Sequence, residues 1–319
     1  MPAAARPGVL IYNPKSGRRR HAGVLDQVLA ALARGGWAVE PRPTSFAGEA
    51  TQLAHEIALA GRVDAIFAFG GDGTVREVAA GLLGTRTALG ILPGGTVNLM
   101  AHALGIPRNP VAAAELLAGL PPRPLDVGLA GSSPFLMMAS AGLDARILAV
   151  VNQDFKWRFG RLAVVLHGLW EWWRYSYPEL AVVADGERLA ASFASVSNIP
   201  LYGGGFRLAP GAHPDDRQLD LVLFRGNGRF TTLSFIIDVL RAAHTRRKDV
   251  SIRTVRDVVF EVPEGSAAQV DGDLCEEPPP VHVRLSPTPL MVLAPPPPRR
   301  RPRPRRPPRP GHGAGKGAR

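Results

Sequence analysis

Three short glycine-containing segments have the composition of phosphate-binding loops. They are residues 13–17 (NPKSG), 70–74 (GGDGT) and 93–98 (PGGTVN), and each follows an apolar run and precedes a helical pattern. Glycine lets the backbone approach a polyphosphate with its N–H groups, and the N-terminus of the following helix favours an anion. The hydroxyl groups of Ser16, Thr74 and Thr96 can donate to the same oxygens. One such loop could be a structural turn, but three in succession favour a polyphosphate site.

Acidic residues occur at two places that could serve phosphoryl transfer. Asp72 would repel a bare phosphate, so it either binds a divalent cation beside the phosphates or orients a second residue. Asp271-Gly272-Asp273 follows the apolar Val270, and a turn there would expose a carboxylate able to accept the proton of an alcohol. Asp-Gly is also a strong hairpin signal, and the two interpretations are compatible.

Other phosphate-binding signatures are absent from the sequence. It contains no GxxxxGK[ST] segment, no GxGxxG with an acid about 20 residues later, and no HRD or DFG motif. A P-loop protein, a dinucleotide-binding Rossmann domain and a protein kinase are therefore excluded. Lys15 could contact phosphate, pair with an acid in the cleft, or be a solvated loop lysine.

The apolar pattern predicts the elements that position these segments. Up to residue 128, predicted strands (8–12, 37–40, 63–69, 88–92) alternate with predicted helices (21–34, 48–60, 75–83, 97–104). This alternation predicts a doubly wound α/β domain over 1–128, in which loops at the carboxyl ends of the strands line one crevice. We expect residues 286–294 to complete it.

The pattern of predicted elements changes after residue 128. Short β-like runs at 135–140, 180–184, 192–198, 219–224, 258–262, 281–285 and 290–293 predict an antiparallel β-sandwich domain over 129–285. Helical patterns near 155–174 and 230–246 interrupt these runs. The first of them carries Trp157, Trp170, Trp172 and Trp173 together with arginines, which suits a membrane interface, or else a helix packed on the sandwich.

The charge of the chain is concentrated at one end. Nine of the 38 Lys and Arg residues lie in 295–319, which leaves 29 basic against 27 acidic residues elsewhere. This Pro- and Arg-rich tail is predicted to be disordered, because it cannot bury enough apolar surface to order itself. It lacks the interleaved aromatics of a nucleic-acid-binding segment, so we expect it to attract anionic lipid, with a merely solubilising tail as the alternative.

Several sequence features bear on location. The one cysteine, Cys275, excludes an internal disulfide, and we find neither a signal-peptide apolar region nor a membrane span. We expect a cytoplasmic protein that associates peripherally with membranes. The sequence leaves the oligomeric state open, a homodimer included.

The order of motifs resembles that of the diacylglycerol kinase catalytic family, bacterial lipid kinases that share a fold with sphingosine and ceramide kinases. The matching segments span nearly everything but the tail: NPKSG (13–17), GGDGTVREV (70–78), LGILPGGTVN (89–98), LDVG (125–128), SAGLDARI (140–147), PDDRQLDL (214–221) and VDGD (270–273). GGDGT alone is shared with NAD kinases and 6-phosphofructokinases, but the combination is more specific.

The resemblance implies that ATP lies against the N-terminal domain and a lipid against the sandwich. The implied nucleotide-binding residues are Asn13, Pro14, Lys15, Ser16, Gly17, Thr44, Gly70, Gly71, Asp72, Gly73, Thr74, Val75, Arg76, Thr96 and Asn98. The implied catalytic residues are Asp72 acting with Mg²⁺, Asp126 organising the cleft, Lys15, and Asp271 or Asp273 activating the lipid hydroxyl. A structural divalent metal would bind Asp216 and the backbone oxygens of His213 and Gln218.

The sequence departs from the family pattern at four positions. Asp273 replaces Glu, Arg76 stands where Asn is common, Leu99 stands where many members have Asp, and Arg217 replaces the Gly of the metal turn. We predict phosphorylation of a lipid hydroxyl, with diacylglycerol converted to phosphatidic acid. The alternatives are an NAD-kinase-like phosphotransferase acting on a soluble nucleoside and a non-catalytic nucleotide- or lipid-binding regulator.

Overall fold

The computed structural model describes residues 4–14, 22–150, 168–263 and 266–297. Its first part is a six-stranded sheet flanked by helices, with the strand order β2-β1-β3-β4-β20-β5. In chain order the elements are β1 (Arg6–Tyr12), α1 (Ala22–Arg34), β2 (Trp37–Pro43), α2 (Glu49–Leu59), β3 (Ala65–Gly70), α3 (Asp72–Leu82), β4 (Ala88–Pro93), α4 (Leu99–Ala103), α5 (Pro110–Ala118) and β5 (Pro122–Leu125).

The central strands of this sheet explain its apolar runs. Every residue of β3 and β4 is buried, as expected for parallel strands covered by helices on both faces. Helix α3 packs closely on α2, because a Cβ on Gly81 would lie 2.4 Å from the carbonyl oxygen of Thr51. The last strand, β20 (Leu290–Leu293), pairs parallel with β4 and antiparallel with β5.

The second part consists of two six-stranded antiparallel sheets, ordered β10-β9-β16-β19-β6-β7 and β15-β14-β11-β8-β17-β18. Its strands are β6 (Gly128–Ala130), β7 (Ser133–Phe135), β8 (Met138–Ala141), β9 (Leu180–Ala184), β10 (Glu187–Ala191), β11 (Phe193–Ser197), β12 (Leu201–Tyr202), β13 (Phe206–Arg207), β14 (Leu219–Phe224), β15 (Val250–Val255), β16 (Asp257–Glu261), β17 (Ala268–Val270), β18 (Asp273–Leu274) and β19 (Val281–Leu285). Strands β12 and β13 form a separate pair. The helices are α6 (Leu143–Val150), α7 (168–174) and α8 (Arg229–Leu240).

The α/β part has one core and the second part has two, and a segment of the second part enters the first core. The core of the α/β part includes Leu136, Met137 and Met138, which precede or begin β8. A second core lies between the two antiparallel sheets, and a third lies beneath α8 around Phe224 and Phe235. Residues 136–138 therefore belong to the junction between the two parts.

The predicted fold class, a doubly wound α/β domain plus an antiparallel β-sandwich domain, is confirmed. The observed bounds of β14, β19 and β20 coincide with the predicted ones. Helix α3 begins three residues earlier than predicted, so Asp72 lies in its first turn. The pattern predicted as one helix over 230–246 ends at Leu240, because Ala242 adopts a left-handed conformation with φ of 54°.

Parts of two predictions lie outside the described residues. Of the helical pattern near 155–174, residues 168–174 are described and are helical; of the tail, residues 298–319 are outside the description. Along the described ranges, we find no helix with the length and apolar character needed to span a bilayer.

Candidate active site in the cleft between the two parts

The glycine-containing segments lie together because their strands are parallel neighbours. β1 pairs with β3, and β3 pairs with β4, so Asn13, Gly71 and Gly94 follow three strand ends at one edge of the sheet. Pro14 is exposed beside Asn13, while Lys15, Ser16 and Gly17 lie outside the described residues.

The second and third loops are in direct contact, and only glycine fits where they meet. A Cβ on Gly95 would lie 2.5 Å from the Cα of Gly71, and a Cβ on Gly94 would lie 3.2 Å from the Cα of Gly70. The N–H of Gly94 donates to the carbonyl of Gly70 at 2.7 Å. These contacts place the main chains of the loops at 70–74 and 93–98 close enough to bind one ligand.

Asn98 shapes its own loop. Its Oδ1 accepts from the N–H of Gly95 at 2.9 Å, and its Nδ2 donates to the carbonyl of Gly95 at 2.9 Å. Its φ is 54°, a left-handed conformation that asparagine tolerates better than most residues. The side chain therefore holds the loop closed.

The remaining predicted nucleotide-binding residues occupy different surroundings. Thr44 is buried, and its N–H donates to the carbonyl of Tyr12 at 2.9 Å, which joins the ends of β1 and β2. Val75 is buried in the core, whereas Gly73 and Thr96 are exposed. Thr74 is half-buried in the first turn of α3.

Asp72 connects the second loop to α4, the helix that follows the third loop. Its Oδ1 accepts from the N–H of Met100, in the first turn of α4, at 3.2 Å. An acidic side chain that accepts a free N–H group stabilises the start of a helix. This contact corresponds to one of the two roles that the sequence left open, the orientation of a second residue.

Asp271 lies in the turn of the β17–β18 hairpin, where it adopts a φ of 51°. Its Oδ2 accepts from the N–H of Leu136 at 2.8 Å, and its Oδ1 accepts from those of Met137 and Met138, each at 2.9 Å. We expected the turn to expose this side chain. It is instead half-buried, because the carboxylate points back to the junction segment 136–138.

This environment sets the protonation of Asp271. Burial raises the pKa of its carboxyl group to about 6, against the opposing effects of the three main-chain N–H groups and of the Arg76 charge. A carboxyl group with such a pKa is ionised at neutral pH yet is a stronger base than an exposed aspartate.

Asp273 is paired with Arg76 across the cleft. Nη2 of Arg76 donates to Oδ2 of Asp273 at 2.6 Å, and the arginine side chain is 24% exposed. Arg76 lies one helical turn after Asp72 in α3, so the ion pair connects the phosphate-loop helix to the Asp271 hairpin. These two departures from the family pattern therefore contact each other.

Asp72 and Asp271 line the same cavity, whose volume is about 340 Å³. Leu99, Met137 and Met138 form part of its apolar wall. The predicted acids from the two parts of the chain thus face one space, with the phosphate loops on one side.

Asp126 lies apart from this cavity. Its Oδ2 accepts from the N–H of Arg217 at 2.5 Å, and its Oδ1 accepts from Nη1 of the same arginine at 3.1 Å. The carboxylate is buried and belongs to the junction between the parts. Asn198, which the sequence analysis did not identify, is fully buried there and donates from Nδ2 to the carbonyls of Asp126 and Leu136.

The predicted metal turn has the form of an Asx turn. Oδ1 of Asp216 accepts from the N–H of Gln218 at 3.1 Å, and His213 precedes it. Arg217 adopts a φ of 58°, which a glycine would adopt freely, and its guanidinium reaches Asp126 and the carbonyl of Ser286. Nowhere in the described ranges do three His, Cys, Asp or Glu side chains group to hold a metal ion. The predicted site, one carboxylate with two backbone oxygens, stays a prediction.

A polar network behind Asp271 was largely missed from the sequence. Asp144 accepts from Oγ of Ser140, from the hydroxyl of Tyr202 at 2.5 Å and from Nε2 of Gln269 at 3.3 Å. Oε1 of Gln269 accepts from the N–H of Gly272 at 2.8 Å, which ties the network to the Asp271 turn. Burial, followed by the Asp144 carboxylate, raises the pKa of Tyr202 well above its usual value, so the hydroxyl remains a donor.

An apolar pocket of about 290 Å³ adjoins the cavity, and Asp144 and Tyr202 border both. Its walls include residues of α6, β11, β14 and α8 and of the β12–β13 pair, and its larger side chains include Leu143, Phe193, Phe206, Phe224, Phe235 and Leu240. No local pattern links these residues in the sequence, because they come from five elements.

Comparison with known proteins defines the class of the chain. Residues 7–130 match the diacylglycerol kinase catalytic domain, and residues 137–294 match the YegS C-terminal NAD kinase beta sandwich-like domain. A solved structure of a putative diacylglycerol kinase from Bacillus anthracis superposes with a TM-score of 0.77 at 25% identity, covering 93% of this chain and 98% of that one.

Two curated relatives place it within that class. A probable lipid kinase YegS-like from Chromohalobacter salexigens is 34% identical, over 83% of this chain and 86% of its own. A diacylglycerol kinase from Bacillus subtilis is 31% identical, over 83% of this chain and 88% of its own. The chain belongs to the bacterial diacylglycerol kinase and YegS-like lipid kinase family, whose members are ATP-dependent. The resemblance seen in the sequence is thereby confirmed.

Proposed function

We propose that this lipid kinase transfers the γ-phosphate of ATP to the free hydroxyl group of diacylglycerol, producing phosphatidic acid. The observation that carries the proposal is the one cavity lined by Asp72 and Asp271, with phosphate-type loops at one side and an apolar pocket at the other. Phosphoryl transfer needs a nucleophile in line, charge neutralisation and a proton acceptor, and this arrangement provides a place for each.

In this proposal Asp271 accepts the proton of the lipid hydroxyl. Asp271 lines the cavity, whereas the Asp273 carboxylate is engaged by Arg76. The three N–H groups on Asp271 fix its orientation, and its pKa of about 6 keeps it ionised at pH 7. These contacts favour Asp271 over Asp273 as the proton acceptor.

Asp72 fits a role with Mg²⁺. Its carboxylate lines the cavity and is held by the Met100 N–H group, and Mg²⁺ in nucleotide sites is usually bound through one or two carboxylates together with phosphate oxygens. The ion would neutralise charge on the phosphates. The loops at 70–74 and 93–98 would hold those phosphates through main-chain N–H groups and the Thr74 and Thr96 hydroxyls.

The apolar pocket supports a substrate with acyl chains. It meets the cavity at Asp144 and Tyr202, so a lipid could place a chain among Phe193, Phe224 and Phe235 while its hydroxyl faces Asp271. A soluble nucleoside would gain little from such walls, which argues against the NAD-kinase-like alternative. The tail's attraction to anionic lipid and the homodimer remain predictions.

The test is phosphate transfer from radiolabelled ATP to vesicles that each contain one candidate lipid: diacylglycerol, ceramide or sphingosine. We expect labelled phosphatidic acid, and Asp271→Asn should lower the rate by about 10²- to 10⁴-fold, as for loss of a general base. Asp273→Asn is the matched control and should lose far less. Label in ceramide or sphingosine instead would change the assigned substrate to that lipid. ATP binding without phosphate transfer would support the non-catalytic regulator alternative.

A further inference from the structure

The solvent-exposed apolar residues of this protein are concentrated on two helices. Of the eleven large hydrophobic residues that are exposed in the described ranges, seven lie on α7 and α8: Leu169, Trp170, Trp173, Phe230, Ile236, Ile237 and Leu240. Phe230 is 72% exposed, although it is among the largest apolar side chains available. A contiguous exposed apolar area of this kind usually marks a binding surface.

The two helices form one surface. Nε1 of Trp172 donates to the carbonyl of Arg229 at 2.8 Å, and the rings of Trp172 and Phe230 pack edge to face at 6.4 Å. The guanidinium of Arg229 lies 4.3 Å from the ring centroid of Trp173. The α7–α8 surface, as we name the seven exposed residues above, is therefore held together by specific contacts.

The charges at the edge of this surface are positive. Arg229 stacks on Trp173, and Arg174 lies 5.4 Å from the ring centroid of Trp170. The neighbouring acids are already neutralised, because Glu171 is buried against Arg146 and Asp238 pairs with Arg247. Tryptophan and arginine at the rim of an apolar face match the headgroup region of a bilayer containing anionic lipid.

The apolar pocket opens onto the α7–α8 surface. Ile236 and Leu240 line the pocket and are also exposed, whereas Phe235 and Val239 on the same helix are buried inside it. An acyl chain entering between these residues would pass from the bilayer to the pocket without crossing water.

We propose that the α7–α8 surface docks on anionic membranes and sets the pocket mouth against the bilayer, so that the lipid substrate enters from the membrane side. The proposal rests on the lipid kinase function proposed above, since it assigns a route for that substrate. Its occupant is a bilayer, and the alternative occupant, a second copy of the chain, is an outcome of the test.

The test compares two double variants whose residue types match. Leu169→Ser with Phe230→Ser changes the α7–α8 surface at residues that do not line either cavity. Leu59→Ser with Phe46→Ser is the control, because Leu59 is 69% and Phe46 59% exposed, against 54% for Leu169 and 72% for Phe230. All proteins keep the basic tail, so its contribution is the same in each.

Binding is measured by sedimentation with vesicles of phosphatidylcholine and phosphatidylglycerol, without ATP or diacylglycerol. We expect the L169S/F230S protein to bind at least about tenfold more weakly than wild type, and the control to bind as wild type. Circular dichroism and thermal unfolding establish that both variants fold. Equal binding by all three proteins would overturn the proposal, as would a wild-type dimer that L169S/F230S dissociates while no protein binds vesicles.

Activity on short-chain, water-dispersed diacylglycerol separates this proposal from the proposed function. If docking is right, L169S/F230S retains wild-type activity on the dispersed substrate and loses activity on vesicles. If wild type is inactive on both substrates yet docks on vesicles, the substrate assignment fails and the docking surface stands. Equal loss by L169S/F230S on both substrates would contradict the docking role.

Discussion

Removing the charge of Arg76 should impair the enzyme in acid but not in alkaline solution. The positive charge of Arg76 opposes the rise that burial imposes on the pKa of Asp271, which stands at about 6. A directly adjacent opposite charge lowers a carboxyl pKa by about 1 to 3. Arg76 is paired with Asp273 and acts on Asp271 only through its charge, so Arg76→Met should move the pKa of Asp271 to about 7 at most.

The size of the effect then depends on pH. At pH 6.5 the ionised fraction of Asp271 would fall from about three quarters to no less than about one quarter, so kcat/KM for the lipid should fall by up to about threefold. At pH 8.5 the carboxylate is ionised in both proteins, and their kcat/KM values should agree closely. The assay is kcat/KM for diacylglycerol at saturating ATP between pH 5.5 and 9.

The companion variant Asp273→Asn breaks the same ion pair but keeps the arginine charge. The pKa that governs the acid limb of its pH profile should therefore equal or lie below that of wild type, whereas the corresponding pKa of Arg76→Met should be higher. Asp72 and Asp144, the other acids that line the cavity with Asp271, are present in every protein compared. A loss in Arg76→Met by one constant factor at all pH values would refute the reasoning, because it would show that Arg76 does not act through Asp271.

Two further predictions concern stability and the loops. The folded pKa of Asp271 is raised from 3.8 to about 6, so its contribution to stability is full below pH 3.8 and is lost as the pH rises through 6. Between pH 5 and 8 wild type loses about 1.4 kcal/mol of this stability, so in urea unfolding the stability of Asp271→Asn relative to wild type should rise by that amount. The same difference in unfolding free energy at both pH values would contradict the burial of this carboxyl group. Gly95→Ala should raise KM for ATP about tenfold or more, because its Cβ would lie 2.5 Å from the Cα of Gly71 and push the two loops apart. The control Gly119→Ala, whose Cβ meets nothing within 4 Å, should leave KM for ATP unchanged. A KM for ATP in Gly95→Ala equal to that of wild type would show that the contact between the loops is dispensable.

Much of the fold could be predicted because its signals are local. The buried runs of β3 and β4 have the continuous apolar composition of parallel interior strands, and β14, β19 and β20 were predicted to the residue. Short or edge elements were missed, such as β15, whose residues are mostly half-buried and so lack a clear alternation. The start of α3 was misplaced because glycine and aspartate are poor predictors of helix, although Asp72 suits a first turn.

The candidate site divides in the same way. Three loops at the carboxyl ends of parallel strands are expected from the sequence, since the direction of the strands follows from the alternation of elements. The Asp271 turn was also visible, but its contacts with Leu136, Met137 and Met138 were not. Those contacts join positions more than 130 residues apart, and they depend on how the two parts of the chain pack.

The sequence by itself determined the two kinds of domain, the three phosphate-type loops and the family, because periodicity and motif order are properties of neighbouring residues. Only the tertiary structure decided that Arg76 meets Asp273, that Asp126 is engaged by Arg217, and that the apolar pocket adjoins the cavity at Asp144. Each of these facts requires side chains from distant segments to meet at one junction. The relative placement of the segments follows from the shared burial of their apolar surfaces, which no short stretch of sequence encodes.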